Sequence, residues 1–507
     1  MAAILQAKDA EEWTYRGEGA VNLVLAYCGS SPHFVGKVLR IQKVPNDRHE
    51  CENGHSALNN HESLLWGKFE GIVSAPTKEI VEHVYVQKVM CPLLGSEHVD
   101  AGIHVLVSRD FLEAVDNKVL CQRPSWRVDA ARVNPLRDSV LLIADHSVFP
   151  HGSLKEDFCV SVEIKPKGGF LPTSEFIAEE NAVKKRITRF KMHQALKLHQ
   201  GKISQISQYD PLDLFSGSKD RIQRAFKALC LTPQNNFRIF LNGSIIFGGM
   251  GGTADNTSSA VAQSFHDGLK HVILAKDGMH IKCLVDLLTE TIFKSGLLNR
   301  LLEVQKLDAI DIEGAIHAYY DIISQPCVVC RKIGGKRFSA RYSSIHSMPR
   351  DDKVKIVRDY LISATAKDLS MMISFKSKIN MDEESPHRAV FLEASKQTFC
   401  YKASFIDLDM KPLKKMEYYY QLDQQIVNYY VQMLKDRDVL DCDEPTQESL
   451  NACTSVKHGG KFFLFQANHN LRNDKLSEEL KRKIWISFLF YEERCVNYFS
   501  IFQSISD

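Results

Sequence analysis

The sequence offers little to tie it to a membrane, an oxidising compartment or a polyanionic lattice. No apolar run approaches the ~18 residues of a membrane span. Its 13 cysteines are odd in number and scattered without short regular spacings, which excludes a small disulfide scaffold and fits reduced thiols. The formal net charge is only +2, so any anion site has to be built locally from clustered Lys and Arg. Met1 to Trp13 carries Lys8, Asp9, Glu11 and Glu12 where a signal peptide needs an apolar core. Cytoplasmic or nuclear residence, no membrane contact and a monomeric chain are the expectations. No repeat recurs at a fixed period. Gly248-Gly249-Met250-Gly251-Gly252 lacks the Lys-Ser/Thr of a P-loop, and the segment Phe247 to Ser259 reads as a flexible loop.

What is there has ordinary globular composition, 44% hydrophobic and 25% charged over 507 residues, enough for two or three packed units. The first ~120 residues read as strand and loop. Val21, Leu23, Leu25 and Tyr27 alternate, Gly29-Ser30-Ser31-Pro32 makes a turn, and Phe34 to Ile41 forms a second strand of a hairpin. Ser139 to Phe149 and Phe158 to Ile164 are expected as more buried strands. From Glu179 helical patterning takes over, with candidates at Thr188 to Leu198, Lys219 to Leu229, Ala260 to Asp267 and the long stretch Cys283 to Ala318. A small β-rich lobe followed by a larger, more helical one is the expected α+β architecture.

Arg16-Gly17-Glu18-Gly19-Ala20-Val21-Asn22 precedes an alternating strand instead of opening a helix, which argues against a dinucleotide fold. An ordinary hairpin turn would account for it alone. Followed by a strand ending Gly36-Lys37-Val38-Leu39-Arg40, it matches the way a kinase-like small lobe covers ATP phosphates. Glu163-Ile164-Lys165-Pro166-Lys167-Gly168-Gly169 ends a strand in an acid and two cations; spaced two apart, Lys165 and Lys167 are expected on one strand face, either solvated or gripping a polyanion.

A basic helix is expected from Asn181 toward Tyr209, a stretch with no acidic residue in which Lys184, Lys185, Arg186, Arg189, Lys191, Lys197 and Lys202 are basic. Arg189, His193 and Lys197 are four apart and stack on one helical face, where an anion would relieve their repulsion. Lys411, Lys415 and Tyr419 repeat that spacing on a helix that Lys411-Pro412 is expected to open. Before it, Ser404 to Asp409 reads as a short buried strand ending in carboxylates, which suits Mg2+ beside nucleotide phosphates. A further acid, Asp368, precedes the apolar run Met371 to Phe375. Caps or turns are the simpler reading of either Asp taken singly. Finally, His317, Cys327, Cys330 and His346 form a His-x9-Cys-x2-Cys-x15-His array with the donors of a tetrahedral zinc site, although one buried Cys needs no metal. Arg331, Lys332, Lys336, Arg337 and Arg341 between these ligands would also suit a nucleic-acid module.

Taken together these blocks resemble the inositol-pentakisphosphate 2-kinase family, its plant members in particular, from about Asp9 to about Val439. The resemblance is carried by Tyr15-Arg16-Gly17-Glu18-Gly19, Gly36 to Lys43, Arg123-Pro124-Ser125-Trp126-Arg127, the Glu-x-Lys-Pro-Lys box at Glu163 to Lys167, and Arg189-Phe190-Lys191-Met192-His193-Gln194. Tyr209 to Ser216, Asn235-Asn236, Ala364 to Asp368 and Ile406 to Pro412 complete it.

It implies a two-lobed fold distantly similar to protein kinases. Residues 1–145 would be the small lobe with the glycine-rich ATP loop, 146–440 the larger lobe with the inositol phosphate and zinc sites, and 441–507 an extension of unknown role. By resemblance, Gly19, Ala20, Val21, Asn22 and Arg40 meet the nucleotide phosphates. Ala144-Asp145-His146 lies beside adenine, Glu163 and Arg238 face the nucleotide, and Asp407 binds Mg2+. Arg127, Lys165, Lys167, Arg189, His193, Lys197, Asn235, Asn236, Asp368, Lys411, Lys415 and Tyr419 surround inositol pentakisphosphate. Lys165, Asp368 and Asp407 sit nearest the transferred phosphoryl group, and the four His and Cys residues hold structural zinc.

The chain departs from the family in having Lys415 where Arg is common, which keeps the charge but loses bidentate geometry. The expected activity is ATP-dependent phosphorylation of the 2-hydroxyl of inositol 1,3,4,5,6-pentakisphosphate. The alternatives are an inositol polyphosphate kinase of other positional specificity and a zinc-containing nucleic-acid-binding protein. The former family's Pro-x-x-x-Asp-x-Lys-x-Gly has Cys159 and Glu163 here in place of Pro and Asp, and the latter leaves the glycine loop without a purpose.

Overall fold

Apolar alternation in the N-terminal segment produces three antiparallel strands, β1 (Trp13–Glu18), β2 (Asn22–Tyr27) and β3 (Lys37–Pro45). The computed structural model describes residues 4–46, 57–149, 158–249, 265, 267–276, 278–333, 336–378 and 388–442. With β4 (Ile103–Leu106), β5 (Ala131–Val133) and β6 (Ser139–Ala144), the three strands form a six-stranded sheet ordered β1-β2-β3-β6-β4, with β5 paired to β3. Its inward residues Leu23, Leu25, Leu39, Ile41 and Leu142 pack on Phe111, Leu112, Val115 and Val119 of helix α1 (Arg109–Val119). Ser108 caps that helix, its Oγ accepting from the Phe111 amide at 3.1 Å.

A second six-stranded antiparallel sheet is built from β7 (Cys159–Ile164), β8 (Phe237–Leu241), β9 (Ser244–Phe247), β10 (Ser370–Ser377), β11 (Arg388–Leu392) and β12 (Gln397–Ile406), ordered β11-β12-β10-β7-β8-β9. Every residue of β7 is buried, as befits an interior strand covered on both faces. The longer helices that follow β7 are α2 (Arg189–His199), α3 (Lys219–Leu231), α4 (His280–Ser295), α5 (Leu297–Gln305), α6 (Asp311–Ile322), α7 (Lys336–Ser347), α8 (Arg350–Asp368) and α9 (Met416–Cys442). The chain is therefore mixed α+β with two antiparallel sheets, each with its own apolar cluster. Leu65, Trp66, Tyr85, Met90 and Leu94, although they lie between β3 and β4 in the chain, pack into the cluster of the second sheet.

Four local expectations need correction. The stretch Cys283 to Ala318 is three helices: Gly296, at φ +65°, ends α4 and starts α5 as only a residue without Cβ does cheaply. Lys184 and Lys185 lie in a separate 3-10 segment, Glu179–Lys185, ahead of α2. Strand β7 stops at Ile164, so Lys165 and Lys167 do not share a strand face, and Lys167 adopts φ +61°. Lys411 precedes the helical turn instead of opening it, because Pro412 is extended (ψ 141°) and caps the 3-10 turn Leu413–Lys415. Residues 250–259 of the glycine-rich loop, most of the helix expected at Ala260 to Asp267, and positions 443–507 lie outside the described residues.

Candidate active site

Strand polarity determines where the charged residues go. Because β10 runs antiparallel to both β7 and β12, its first residue, Ser370, pairs with Ile406 while Met371 pairs with Ile164. The start of β10 and the ends of β7 and β12 therefore share one sheet edge. Asp368, Lys165 and Asp407 leave from that edge, and Ile164 also pairs with Phe237 at the start of β8, bringing Asn235 and Asn236 alongside. The Lys165 amide donates to the Asn236 carbonyl at 2.9 Å.

The side chains at this edge are tied together. Lys165 Nζ lies 3.1 Å from Asp407 Oδ2, and Ser370 Oγ, 3.2 Å from the same oxygen, donates to Glu163 Oε1 at 2.8 Å. Glu163 Oε2 accepts from Arg238 Nη1 at 2.9 Å. Asp368, the last residue of α8, accepts from Lys411 Nζ at 2.8 Å and faces Lys167 Nζ at 3.5 Å. Asp407 and Lys167 both have left-handed backbones, φ +62° and +61°, a conformation that costs a non-glycine residue about 1–2 kcal/mol and persists where surroundings impose it. For Lys167 those surroundings are visible: Tyr209 Oη donates to the Pro166 carbonyl at 2.8 Å, and Gln305 Nε2 donates to the Lys167 carbonyl at 2.8 Å.

Electrostatics follow from this packing. Partial desolvation at the packed edge pushes the Asp368 carboxyl up, but Lys167, Lys411 and Lys165 outweigh it and hold the group at about 2. Burial lowers the Lys167 ammonium to about 8, with Lys165 and Lys197 adding repulsion against the pull of Asp368. His193 falls to about 3 through burial and the charges of Lys197, Arg189, Lys167 and Lys202, so it is a neutral imidazole here. Partial desolvation opposes ionisation of Asp407 too, yet Lys165 and Arg40 leave it below the usual carboxylate range.

The glycine-rich turn lies between β1 and β2. The Gly19 amide donates to the Asn22 carbonyl at 2.9 Å, the Lys43 amide to the Val21 carbonyl at 2.7 Å, and Lys43 Nζ to the Gly19 carbonyl at 2.9 Å. Glu18, buried beside the turn, is clamped by Lys43 and by Arg123, whose Nε is 3.0 Å away. A Cβ on Gly19 would meet nothing within 4 Å, so the turn opens onto free space. Arg40 on β3 reaches across to the second sheet, its Nη2 2.7 and 2.8 Å from the two Asp409 oxygens. With its amide oxygen turned toward Arg40, Asn22 accepts from Nη2 at 2.9 Å. Ala144 ends β6; Asp145 caps the next turn through the Ser147 amide at 2.9 Å and pairs with Arg16 at 2.8 Å, and the His146 carbonyl accepts from Ser374 Oγ at 2.6 Å. Arg127 belongs to this neighbourhood: it stacks on Trp126 at 4.0 Å, and Glu18, Tyr15 and Arg123 are its titratable neighbours.

The face of Arg189, His193 and Lys197 forms on α2, with Thr188 as the helix cap, but the absence of local acids leaves neither Arg189 nor the neighbouring Lys191 unpaired. Lys191 pairs with Asp210 at 2.5 Å and Arg189 with Asp423 at 3.1 Å. Lys184 is buried among Asp311, Glu313 and Asp423, so it cannot serve a ligand. Lys415 ends the 3-10 turn Leu413–Lys415, and Tyr419, four residues on, lies in the first turn of α9. Reading the sequence missed Ser370, Gln305 and Asp423, and it did not foresee that Asp409 would pair with Arg40. A glutamine closing the apolar helix Leu297–Gln305 is the one signal that pointed to such a role.

His317, Cys327, Cys330 and His346 converge away from this edge, one donor atom of each lying within 4.8 Å of the others. Cys330 Sγ is 3.3 Å from His317 Nδ1 and 3.2 Å from His346 Nε2, and Cys327 Sγ is 3.4 Å from His317 Nδ1. Those edges are close to the ~3.3–3.8 Å separations of ligands around a tetrahedral zinc with bonds of about 2.0–2.3 Å. His346 Nδ1 faces Asp321 at 2.9 Å, the outer partner that orients a metal-binding imidazole. Four protein donors fit a closed, structural site.

Comparison with known proteins places most of the chain among relatives. A family model described as inositol-pentakisphosphate 2-kinase matches residues 15–425. The chain is 53% identical over 433 residues to an inositol-pentakisphosphate 2-kinase of Arabidopsis thaliana, covering 85% of this chain and 95% of that protein. It is 50% identical over 430 residues to the enzyme of that name from Oryza sativa subsp. japonica, covering 85% and 96%. The similarity extends to a Danio rerio protein of the same name at 29% identity over 488 residues, covering 84% and 94%.

Proposed function

Because the chain belongs to the inositol-pentakisphosphate 2-kinase family, we propose that it transfers the γ-phosphoryl group of ATP to the 2-hydroxyl of inositol 1,3,4,5,6-pentakisphosphate, giving inositol hexakisphosphate. The observation that carries this reading is the convergence of Lys165, Lys167 and Lys411 on Asp407 and Asp368 at one sheet edge. Five phosphate monoesters carry roughly −8 to −10 at neutral pH. A sugar or nucleoside needs no such density of cations.

In this reading the two sheets and their cores are the two lobes of a distantly kinase-like fold. The Gly19–Asn22 turn and Arg40 meet the nucleotide phosphates, Ala144 to His146 flank the base, and Glu163 holds Arg238 toward the nucleotide. Asp407 is the carboxylate for Mg2+, which supplies charge neutralisation on the phosphate oxygens. Arg127, Arg189, His193, Lys197, Asn235, Asn236, Lys415 and Tyr419, with Lys167 and Lys411, hold ring phosphates, leaving the single free hydroxyl toward ATP. Asp368 takes the hydroxyl proton as the new O–P bond forms and the bond to ADP breaks.

A carboxylate held at about 2 is a poor base, since efficient bases lie near the working pH. The same lysines that hold it there are phosphate ligands. When Lys167 and Lys411 turn to ring phosphates, Asp368 loses their field and gains the repulsion of a polyanion, and both changes raise its proton affinity. Substrate binding thereby primes the base. His317, Cys327, Cys330 and His346 hold structural zinc, away from these steps. Among the described residues no helix is long and apolar enough to cross a membrane; monomeric function in the cytoplasm or nucleus goes with a small-molecule substrate.

Incubation of the protein with Mg2+, ATP and each inositol phosphate in turn tests the reading. The hexakisphosphate should form from the pentakisphosphate that has a free 2-hydroxyl. Phosphorylation at another position, or salt-sensitive RNA binding without turnover, would overturn it.

A further inference from the structure

Lys184 sits among three carboxylates, Asp311, Glu313 and Asp423, that lie close enough together to hold a cation. Its Nζ lies 2.5 Å from Asp311 Oδ1, 3.0 Å from Glu313 Oε1 and 2.7 Å from Asp423 Oδ2, and all four side chains are buried. An ammonium has three donors, and this one has three carboxylate acceptors at those distances. The acceptors are themselves fixed. Asp311 is held at φ +62°, its Oδ1 also accepts from the Glu313 amide at 3.1 Å, and Glu313 Oε2 accepts from the Ala178 amide at 2.9 Å. The cluster joins the Glu179–Lys185 segment, α6 and α9 at one point.

The remaining oxygen of Asp423 is used differently. Oδ1 accepts from Arg189 Nε at 3.1 Å, and Arg189, unlike the cluster, is half-exposed at the start of α2. A guanidinium gripped at Nε keeps its outer edge, the two terminal nitrogens, in a fixed plane for a second anion. Asp423 also follows Tyr419 by four residues on α9, so one helical face bears a substrate-side group and its internal support.

We infer that Asp423, held by Lys184, is a positioning residue of the pentakisphosphate site: it fixes Arg189 through Nε so that the terminal nitrogens meet a ring phosphate. The inference rests on the proposed reading that Arg189 binds substrate. The buried cluster is ionised where it matters, since burial works against Asp423 but Lys184 and Arg189 keep its carboxyl low, whereas burial raises Asp311 to about 7.

The test is a double-mutant cycle with Kd for inositol pentakisphosphate, by calorimetry, and KM for ATP as readouts. Arg189→Ala should weaken pentakisphosphate binding roughly 10- to 100-fold with KM for ATP unchanged. Unchanged binding there would refute the substrate role of Arg189 itself. Asp423→Asn should weaken binding about tenfold in the wild-type background but less than about threefold beside Arg189→Ala. A full, independent loss in that background would mean a general structural role and overturn the inference. Arg189→Lys keeps charge at a half-exposed position and folds irrespective of the cluster. Its single ammonium cannot serve Asp423 and a phosphate edge together, so it should bind within about threefold of Arg189→Ala. Near wild-type binding by Arg189→Lys would overturn the inference even if Asp423→Asn fails to fold.

Discussion

Replacing Asp368 by Asn removes one negative charge and keeps the side chain's size, which makes it the most informative single change at the site. Lys411 Nζ at 2.8 Å and Lys167 Nζ at 3.5 Å would lose their counterion. The substrate would lose a repulsion. A unit pair about 8 Å apart in a water-like dielectric interacts by about 0.5 kcal/mol. Summed over about eight substrate charges and reduced about e-fold by screening at physiological salt, this is about 1.5 kcal/mol, or about tenfold in affinity. Chemistry moves the other way, since loss of a proton acceptor typically costs roughly 10²–10⁴-fold in rate. Asp368→Asn should therefore bind inositol pentakisphosphate up to about tenfold more tightly while kcat falls by at least about 10²-fold. Calorimetry and a quenched product assay measure the two separately. A variant that turns over near the wild-type rate would remove Asp368 as the base; one that loses binding would show that the carboxylate organises the lysines more than it opposes the ligand.

Asp407→Asn should abolish the Mg2+-dependence of nucleotide binding, seen as less than about threefold difference in ATP affinity with and without the ion. With the ligand phosphates fully ionised, above about pH 7, affinity for inositol pentakisphosphate should fall as pH rises through about 8, because Lys167 loses its proton there, and Lys167→Arg should flatten that fall. The protein should carry about one zinc per chain, and Asp321→Asn, by freeing His346 Nδ1, should weaken zinc roughly 10- to 100-fold in competition with a chromophoric chelator.

Much of the site is legible in the sequence because its parts sit at the ends of regular elements. Glu163 to Lys167 follows a buried strand, Ile406 to Pro412 follows another, and Asp368 closes a helix. Antiparallel pairing then brings those ends to one edge, and this pairing is not written in any of the segments alone. Three kinds of feature stayed hidden. Counterions came from far along the chain: Arg189 is answered by Asp423, 234 residues away, and Arg40 by Asp409, 369 residues away. Left-handed backbones fell on Lys167 and Asp407, where no glycine announces them. Pro412 capped the turn instead of entering it, which moved Lys411 off the helix and toward Asp368. The break at Gly296 was readable, since Lys294-Ser295-Gly296 is a common helix ending.

The counterions divide into two kinds by exposure, and the division bears on specificity. Asp368, Asp407 and Asp409 are 60%, 47% and 40% exposed, whereas Asp423 is 5% exposed. A carboxylate at the rim is readily solvated when its lysine or arginine turns to an arriving phosphate; a buried one has no water to receive it and keeps its partner fixed. On the proposed reading, rim acids would act as displaceable stand-ins for ligand phosphates, and Asp423 as scaffold. An inositol phosphate lacking the group that engages Lys411 or Lys167 would leave that lysine on Asp368, and Asp368 would stay a weak base. Such a ligand still meets the remaining cations and still binds. Discrimination against it therefore falls on kcat as well as on KM, because the missing phosphate withholds the event that raises the base toward working pH.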